Sequence, residues 1–376
     1  MLAGMSITAR YGLVDLFSRP FDQPLADDEF NRIALRVFGH QYEHNRPFAG
    51  FCDRRGRTPA TVEHWTMIPA VPKAAFREVD LVVGAASDAD AVFRTSGTTR
   101  GPEKRGVHHV PDVAIYHISL IPNFAACVLP DGAELTMLSL VPSSAELRDS
   151  SLARMIDVVM DRLGAADSAC CATVAHGIDD DALADRLRGA ELDGAPVCIL
   201  GTSFAFVHWL DRLARRGEHF RLPPGSRLMD TGGYKGRSRE VAEDDLRRLY
   251  HERLGIRPTY CVNEYGMTEM CSQFYDSTLR DDVHGVDRPR RKLVPPWVRT
   301  RVVDPQTLDP LEPGLRGLLQ HVDLANAGSV LAIQTEDVGM LVDGGFLMYG
   351  RTAGATPRGC SIAMDLLLEA VQPQQP

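Results

Sequence analysis

Hydroxyl side chains and glycines are crowded between residues 93 and 104, where the sequence reads FRTSGTTRGPEK. Glycine lets a backbone approach a ligand closely, and hydroxyls and backbone N–H groups donate hydrogen bonds to phosphate oxygens. The same composition is typical of a surface loop, because Ser, Thr, Gly and Pro favour turns. By itself the stretch leaves two interpretations open, a phosphate-binding loop or a solvated loop.

Two later stretches carry side chains that suit a bound nucleotide. In NEYGMTE, Tyr265 offers a ring that can stack on a base, Thr268 a hydroxyl for a phosphate, and Glu269 a carboxylate for Mg²⁺. In QTEDVG, the carboxylate of Asp337 can accept hydrogen bonds from two ribose hydroxyls. Each residue also has an ordinary structural interpretation, as a core aromatic, a surface ion pair or a turn former.

A cysteine near the end of the sequence is a candidate nucleophile. Cys360 lies in PRGCS beside Arg358, and a positive neighbour favours the thiolate. The nine residues from Arg351 to Cys360 can span about 30 Å when extended, enough to move a thiol into a cleft. Gly354 and Gly359 add backbone freedom. The alternative is that Cys360 is a small buried apolar residue, as free cysteines usually are.

Composition excludes several classes of protein. The chain has 376 residues, of which 44% are hydrophobic, and its net charge of −9 argues against a nucleic-acid binder. None of its eight cysteines forms a C-x-x-C pair, and the pattern indicates reduced thiols in the cytoplasm. The sequence contains no run of eighteen apolar residues, so no membrane span is predicted. The spacing of the loop residues does not fit a P-loop, and no G-x-S-x-G motif indicates a hydrolase.

Alternating periodicities predict the elements that position these residues. A helix is expected over residues 26–44, where apolar residues recur at helical spacing. Further along, β-rich runs are expected at 133–141, 168–175, 196–204, 226–233 and 258–266, and helices near 111–128, 149–163, 179–189, 204–216 and 238–254. This alternation predicts an α/β fold with a doubly wound, mostly parallel sheet, whose ligand lies at the carboxyl ends of the strands.

After residue 283 the sequence consists of β-rich runs separated by Pro and Gly, and Asp343, Gly344 and Gly345 are predicted to form a hairpin turn. We therefore expect three parts. Residues 1–282 form a helical cap and an α/β core, residues 283–350 form a β-rich subdomain, and residues 351–376 form a short mobile tail that carries Cys360.

Several stretches in a fixed order resemble one family. They are LSLVPSSAELRDSSLARM, LGTSFAFVHWLD, MDTGGYKGRSRE, VNEYGMTEMCSQFYD, VDLANAGSVLAIQTEDVG and RGCSIAMD. Together with the Gly-rich loop they are similar to the acyl-protein synthetase family, the LuxE type, within the superfamily of acyl-adenylate-forming enzymes. The likeness extends from about residue 26 to residue 370.

The resemblance implies ATP and Mg²⁺ as cofactors and assigns a role to each candidate residue. The phosphates would be held by a loop with a basic residue beside it, comprising Thr95, Ser96, Gly97, Thr98 and Thr99 with Lys104 or Arg105. The adenine would lie against Gly232, Gly233, Tyr265 and Gly266. Thr268 would contact the α-phosphate, Glu269 the metal and Asp337 the ribose, and Arg351 would mark the hinge before a lid.

The sequence departs from the superfamily after Arg351. Relatives with a full lid carry a lysine that assists adenylation, whereas residues 352–376 contain no lysine and are too few for a domain. The resemblance implies a much shortened lid, in which the Cys360 thiol takes the acyl group from an acyl-adenylate as a thioester. The acid is expected to be fatty or otherwise apolar.

The resemblance also implies a partner, an acyl-CoA-reductase-like protein of the LuxC type. The chain carries no dinucleotide motif of its own, so a reduction step would be performed by a second protein. Two other functions stay open. One is an acid–CoA ligase of the phenylacetate type, in which CoA and not Cys360 accepts the acyl group. The other is a non-catalytic scaffold subunit of a reductase complex.

Overall fold

The computed structural model describes residues 12–96, 105–232, 241–351 and 358–371. The chain divides into two compact units, each discontinuous in sequence. Unit 1 comprises residues 1–122, 267–272 and 291–376, and unit 2 comprises residues 123–266 and 273–290. These limits differ from the boundaries expected at 282 and 350, because residues near position 71 pair with a strand near position 333.

Strands occur in the described part of the chain from residue 71 to residue 351. In chain order they are β1 (Val71–Pro72), β2 (Ala91–Arg94), β3 (Val107–Val110), β4 (Thr136–Ser139), β5 (Ala169–Cys170), β6 (Ala172–Thr173), β7 (Gly177–Ile178), β8 (Val197–Thr202), β9 (Arg227–Thr231), β10 (Cys261–Tyr265), β11 (Phe274–Tyr275), β12 (Val298–Val303), β13 (Arg316–Asp323), β14 (Ala332–Val342) and β15 (Gly345–Arg351).

Helices precede, separate and follow these strands. In chain order the described α-helices are α1 (Leu13–Phe17), α2 (Asp27–His44), α3 (Arg46–Arg54), α4 (Val113–Val128), α5 (Ser151–Leu163), α6 (Asp180–Asp193), α7 (Ser203–Arg216), α8 (Glu243–Leu254), α9 (Thr278–His284) and α10 (Arg358–Val371). None of the helices in the part of the chain that the structure describes has the length and apolar character needed to cross a bilayer.

Unit 2 is built on a six-stranded sheet in the order β11-β10-β9-β8-β4-β5. All its neighbours pair in parallel except β10 and β11, which are antiparallel. The central strand β9 is buried along its whole length, as expected when both faces of a parallel sheet are covered. The α/β fold class with a mainly parallel sheet is confirmed.

One of the predicted strands is wrong in its extent. The run at 168–175 was expected to be a single strand, but only Ala169 and Cys170 join the main sheet, as β5. The chain then turns, and Ala172–Thr173 pairs antiparallel with Gly177–Ile178 as a separate ribbon. The run consists largely of small residues, and such residues bring little of the cross-strand packing that extends a strand.

Unit 1 contains the β-rich segment as a sheet in the order β1-β14-β13-β12, with β15 also paired to β14. The predicted turn is confirmed, because Val342 pairs with Gly345 across a two-residue loop in which Gly344 has a φ of 74°. This positive φ is a conformation that glycine adopts without steric cost. The sheet places β1 beside the start of β14, and this pairing brings the residue after β1, Lys73, close to Asp337 in β14.

Helices α2, α3 and α10 cover part of unit 1. Helix α2 has the bounds expected from its periodicity, and the apolar residues of that pattern, from Phe30 to Phe38, are buried. We expected a mobile tail after residue 351, but residues 358–371 form α10, which packs on α3. At the end of α10, Arg54 donates from Nη2 to the Glu369 carbonyl oxygen at 2.7 Å. The spacing of its buried residues, Cys360, Ala363 and Leu367, gives α10 an apolar face.

Candidate functional site

The backbone that carries Thr268 and Glu269 belongs to unit 1 and is held by buried side chains of that unit. The Nδ1 atom of His108 lies 2.8 Å from the Thr268 carbonyl oxygen. Asn326 donates from Nδ2 to the Glu269 carbonyl oxygen at 2.9 Å and accepts at Oδ1 from the Cys271 N–H at 2.7 Å. These hydrogen bonds fix the direction of the Glu269 side chain.

The Glu269 carboxylate is a buried charge, with only 5% of the residue exposed. Burial raises its pKa, and the positive charges of Lys73, Arg77 and Arg351 oppose that rise. Glu269 is therefore not the surface ion pair that the sequence left open. A carboxylate buried among three cations is instead suited to bind a metal ion or a hydrogen-bond donor of a ligand.

The base of the hydroxyl-rich loop lies close to this carboxylate. Thr95 directly follows β2 and Gly106 directly precedes β3, and the two strands are paired. Thr95 Oγ1 accepts a hydrogen bond from the Gly106 N–H at 2.9 Å. A Cβ atom at Gly106 would lie 3.0 Å from the Thr95 methyl group and 3.5 Å from Glu269 Oε1. Glycine at this position keeps space open between the loop and the carboxylate. Ser96, the next residue after Thr95, is exposed.

Asp337 is buried between two cations. Its Oδ2 atom lies 3.5 Å from Lys73 Nζ, and its Oδ1 atom lies 3.3 Å from Arg351 Nε. The register of the sheet produces this arrangement, because Asp337 pairs with Arg351 across β14 and β15, and β1 runs beside β14 just before Lys73. Asp337 and Arg351 were candidates from the sequence, but Lys73 was not. The one sequence feature that could have drawn attention to Lys73 is that lysine is scarce in this chain.

The Cys360 thiol lies in the interior of unit 1, with 3% of the residue exposed. It packs with Val303 and Leu318, and its Sγ atom lies 3.9 Å from the Thr335 carbonyl oxygen. Burial raises the pKa of the thiol to about 11, the charge of Glu336 adds to the rise, and Lys73 opposes it. The expectation that Arg358 favours the thiolate is therefore not met, because desolvation and the charge of Glu336 outweigh the one opposing cation, which is Lys73 and not Arg358.

A cavity of about 190 Å³ lies in unit 1 beside Lys73 and Cys360. Lys73, Gln334, Glu336 and Cys360 line it, together with α10 residues such as Met364. The structure thus brings a thiol, an ammonium group and a carboxylate to one cavity, with Asp337 in contact with that ammonium. Asp365 lines the cavity as well, so Lys73 is the single cation among the described lining residues and is the group there that can meet an anionic ligand, beside the Cys360 thiol.

Unit 2 carries the residues expected at the adenine. The ends of β9 and β10 lie side by side, because Thr231 pairs with Glu264, and Gly232 and Tyr265 are the next residues. The Tyr265 ring is buried and stacks on Phe274 with a centroid distance of 5.7 Å. It is in part a core aromatic, as the alternative interpretation held.

The presence of glycine at position 266 has a steric explanation. A Cβ atom there would lie 2.1 Å from Glu264 Oε1, so no other residue fits without moving that side chain. The Glu264 carboxylate is in turn held by a hydrogen bond from the Thr231 hydroxyl. The glycine therefore keeps β9 and β10 packed at the carboxyl end of the sheet.

The remaining predicted site residues lie outside the described part of the chain. They are Gly97, Thr98, Thr99, Lys104 and Gly233. Within the described residues, no group of three or more His, Cys, Asp or Glu side chains is arranged to hold a metal ion. Glu269 stands as a single carboxylate, which fits Mg²⁺, because this ion is commonly bound through one or two carboxylates and the phosphates of a nucleotide.

Solved structures of known ligases share this fold. The chain superimposes on 2-hydroxyisobutyryl-CoA ligase in the postadenylation state, in complex with 2-HIB-AMP, with a TM-score of 0.64 and 14% identity, covering 88% of this chain and 70% of that one. An open conformation of the same ligase, with 2-HIB-AMP and CoA, gives a TM-score of 0.64 and 15% identity over 90% of this chain and 79% of that one. The fold is that of the adenylate-forming ligases.

The sequence comparisons identify the family. The model of the acyl-protein synthetase, LuxE, matches residues 176–367, and the chain belongs to this family and is a ligase. The long-chain-fatty-acid–luciferin-component ligase of Vibrio harveyi is 21% identical over 319 residues, which cover 83% of this chain and 79% of that protein. The ligase of the same name from Aliivibrio fischeri is 24% identical over 159 residues, 42% of this chain and 38% of that protein. The resemblance that the sequence motifs indicated is confirmed.

Proposed function

We propose that this ligase activates a carboxylic acid with ATP to give an acyl-adenylate, and then takes the acyl group on Cys360 as a thioester. The observation that carries the proposal is the placement of Glu269, Asp337 and Cys360 around Lys73 within one unit. The acid is a long-chain fatty acid or another apolar acid. The names of the relatives from Vibrio harveyi and Aliivibrio fischeri support this substrate class.

In the proposed first step, the chain's residues bind and orient the nucleotide. Asp337 accepts hydrogen bonds from the ribose hydroxyls, and Thr268 donates to the α-phosphate. The loop of Thr95, Ser96, Gly97, Thr98 and Thr99, with Lys104, surrounds the phosphates, while Gly232, Gly233, Tyr265 and Gly266 lie against the adenine. Glu269 would hold Mg²⁺, which neutralises charge on the departing pyrophosphate. A carboxylate is already a nucleophile near neutral pH, so positioning and electrostatics carry the step.

In the proposed second step, the Cys360 thiol loses its proton and attacks the acyl carbon, forming a thioester and releasing AMP. The thiol is buried in the docked position of α10. We propose that α10 leaves this position, with Arg351 at the hinge, so that the thiol reaches the adenylate. The acyl-enzyme then delivers its acyl group to a partner acyl reductase of the LuxC type in the cytoplasm.

The test separates the two half-reactions in one variant. Cys360→Ala removes the acceptor but none of the nucleotide-binding residues. We therefore expect it to keep acid-dependent exchange between pyrophosphate and ATP while losing the covalent acyl adduct, measured by intact mass. Cys170→Ala, which removes an exposed cysteine, is the control and should keep both activities. An adduct that survives in Cys360→Ala would contradict the assignment of the acceptor.

A second candidate function is an acid–CoA ligase. The burial of Cys360 and the shared fold with a CoA ligase favour it. In that case, free CoA would accept the acyl group, and Cys360→Ala would retain full overall activity with CoA. A wild-type protein that transfers only to CoA, without any acyl adduct, would establish this alternative.

A further inference from the structure

Lys73 is a buried cation whose hydrogen-bonding capacity is mostly unused. The residue is 8% exposed, and among the described residues its only hydrogen-bond partner is Asp337 Oδ2, at the long distance of 3.5 Å. An ammonium group has three N–H donors, and buried donors are nearly always satisfied. Because Lys73 also lines the cavity beside Cys360, its donors have room to meet a ligand there.

The surroundings of Lys73 indicate which part of a ligand it meets. Lys73 contacts Asp337, to which the proposed function assigns the ribose. It is also near Glu269, because the charge of Lys73 is the largest of those that oppose the effect of burial on the pKa of this carboxylate. In ATP the α-phosphate stands between the ribose and the phosphates that bind the metal. A cation near both carboxylates is therefore suited to the α-phosphate.

Ion pairing with Asp337 does not by itself account for a lysine at this position. Asp337 already has a cationic partner, Arg351, at 3.3 Å. Lysine is also rare in this chain, occurring at positions 73, 104, 235 and 292, whereas Lys and Arg together number 41. A compact ammonium differs from a guanidinium in presenting a point charge on a flexible stem, which suits contact with several oxygens in turn.

We propose that Lys73 is a catalytic residue of the adenylation step and that its ammonium contacts the α-phosphate oxygens; this rests on the proposed function. An oxygen of the acid's carboxylate forms a bond to the α-phosphorus. The bond from that phosphorus to the bridging oxygen of the β-phosphate breaks, and pyrophosphate leaves with the electron pair. No proton is transferred, and Lys73 remains an ammonium ion that stabilises the added charge on the α-phosphoryl group.

The decisive variant is Lys73→Met, which keeps the length of the side chain and removes its charge. Acid-dependent exchange between pyrophosphate and ATP, at saturating ATP, should fall by about 100-fold, the usual effect of losing one electrostatic contact to a transition state. The matched control is Lys292→Met, which removes the charge of another buried lysine of unit 1 that is 6% exposed. This control should keep exchange within twofold of the wild type.

A second measurement distinguishes catalysis from folding. When a preformed long-chain acyl-adenylate is supplied, Lys73→Met should acylate Cys360 within threefold of the wild-type rate, because the adenylation step is bypassed. Lys73→Arg should recover part of the exchange activity, since it restores charge with a different shape. Loss of acyl transfer from the supplied adenylate, in proportion to the loss of exchange, would show a structural role and overturn the inference.

Exchange activity in the wild type and in Lys73→Met distinguishes the role of Lys73 from adenylation as a whole. A wild-type protein without acid-dependent exchange would overturn both. Exchange in the wild type with equal exchange in Lys73→Met would overturn only the role of Lys73.

Discussion

Asp337 holds its charge between cations of unequal exposure. The side chain of Lys73 is 9% exposed and that of Arg351 is 60% exposed. Water and salt screen an exposed pair strongly and a buried pair weakly, so the pair that Asp337 forms with Lys73 is screened less than its pair with Arg351. At the scale of single residues, both cations hold the Asp337 carboxylate, and Lys73 is the one that also faces the cavity.

The raised pKa of Cys360 predicts how its alkylation depends on pH. With a pKa of about 11, only about 0.1% of the thiol is ionised at pH 8, against about a quarter for a thiol with a pKa near 8.5. Iodoacetamide should therefore modify Cys360 about 250-fold more slowly than an ordinary exposed thiol at pH 8. The rate should rise about tenfold per pH unit up to pH 10, because alkylation requires the thiolate.

The rates can be read by peptide mass spectrometry, with the exposed Cys170 as the internal reference. A rate for Cys360 that levels off near pH 9 would contradict this prediction. It would show that the thiol reacts from an open position of α10, in which its pKa is ordinary.

Single residues of the site were predictable where their chemistry is local. Asp337 and Glu269 were selected as candidates because a carboxylate within or after a β-rich run is conspicuous in the sequence. The contacts of Lys73 with Asp337 and of His108 with Thr268 were not predicted, because each joins residues far apart in the chain. No pattern in a single sequence shows such distant contacts.

Helices α3 and α10 pack closely against each other near the end of α10. A Cβ atom at Gly50 in α3 would lie 3.0 Å from the Ala370 Cβ and 3.3 Å from the Ala370 carbonyl oxygen. Gly50 therefore permits close packing of the two helices. In the same region, Arg54 forms an ion pair with Glu369 at 3.2 Å, but this pair is exposed and contributes little.

Gly50→Val should loosen α10, because overpacking costs about 1–3 kcal/mol. That cost corresponds to a rise of about 5- to 150-fold in the open population. In this variant, unlike the wild type, Cys360 should therefore react through the open position, and its alkylation rate at pH 8 should rise. Gly39→Val, in the interior of α2, is the matched control, since nothing lies within 4 Å of a Cβ at Gly39. An unchanged rate in Gly50→Val would mean that this contact does not hold the thiol in place.

The type and order of the elements were largely predictable, because long amphipathic helices and apolar strands show their period in the sequence. Helices α2 and α5 and strands β8, β9 and β10 lie where they were expected. The docking of α10 was not predicted, because glycines before Cys360 indicated freedom, whereas tertiary contacts with α3 decide its position. Strand β1 was also missed, because it is a two-residue strand that contains Pro72.

At the scale of the whole molecule, the units are not consecutive pieces of the chain. The sheet of unit 2 lies entirely within residues 136–275, whereas unit 1 joins β1 to β14 across more than half the sequence. The change in amino-acid composition along the chain located the β-rich segment but not this discontinuity. A boundary predicted from composition divides the chain into consecutive segments, so it cannot show that distant segments form one unit. The nonlocal pairing of β1 with β14 defines the units instead.

A fragment of residues 112–290 should therefore fold alone, since it contains α4 whole and all six strands of the sheet of unit 2. We expect a cooperative thermal transition by circular dichroism. A fragment of residues 1–282 should instead bind a hydrophobic dye, because it keeps the first part of unit 1 but lacks β12 to β15. A noncooperative transition in the first fragment, or a dye-free second fragment, would contradict this division of the chain.

The discontinuity of unit 1 also has a consequence for synthesis on the ribosome. Unit 2 is complete once residue 290 has emerged, but residues 1–122 must wait for residues 291–376 before β1 has its partner strand. At the usual speed of translation, this wait is on the order of ten seconds. During that time, Phe17 and Phe30, which are buried in the finished protein, lack Trp297 and Arg299, on which their rings pack. The nascent N-terminal segment is thus the part of this protein that most needs a chaperone.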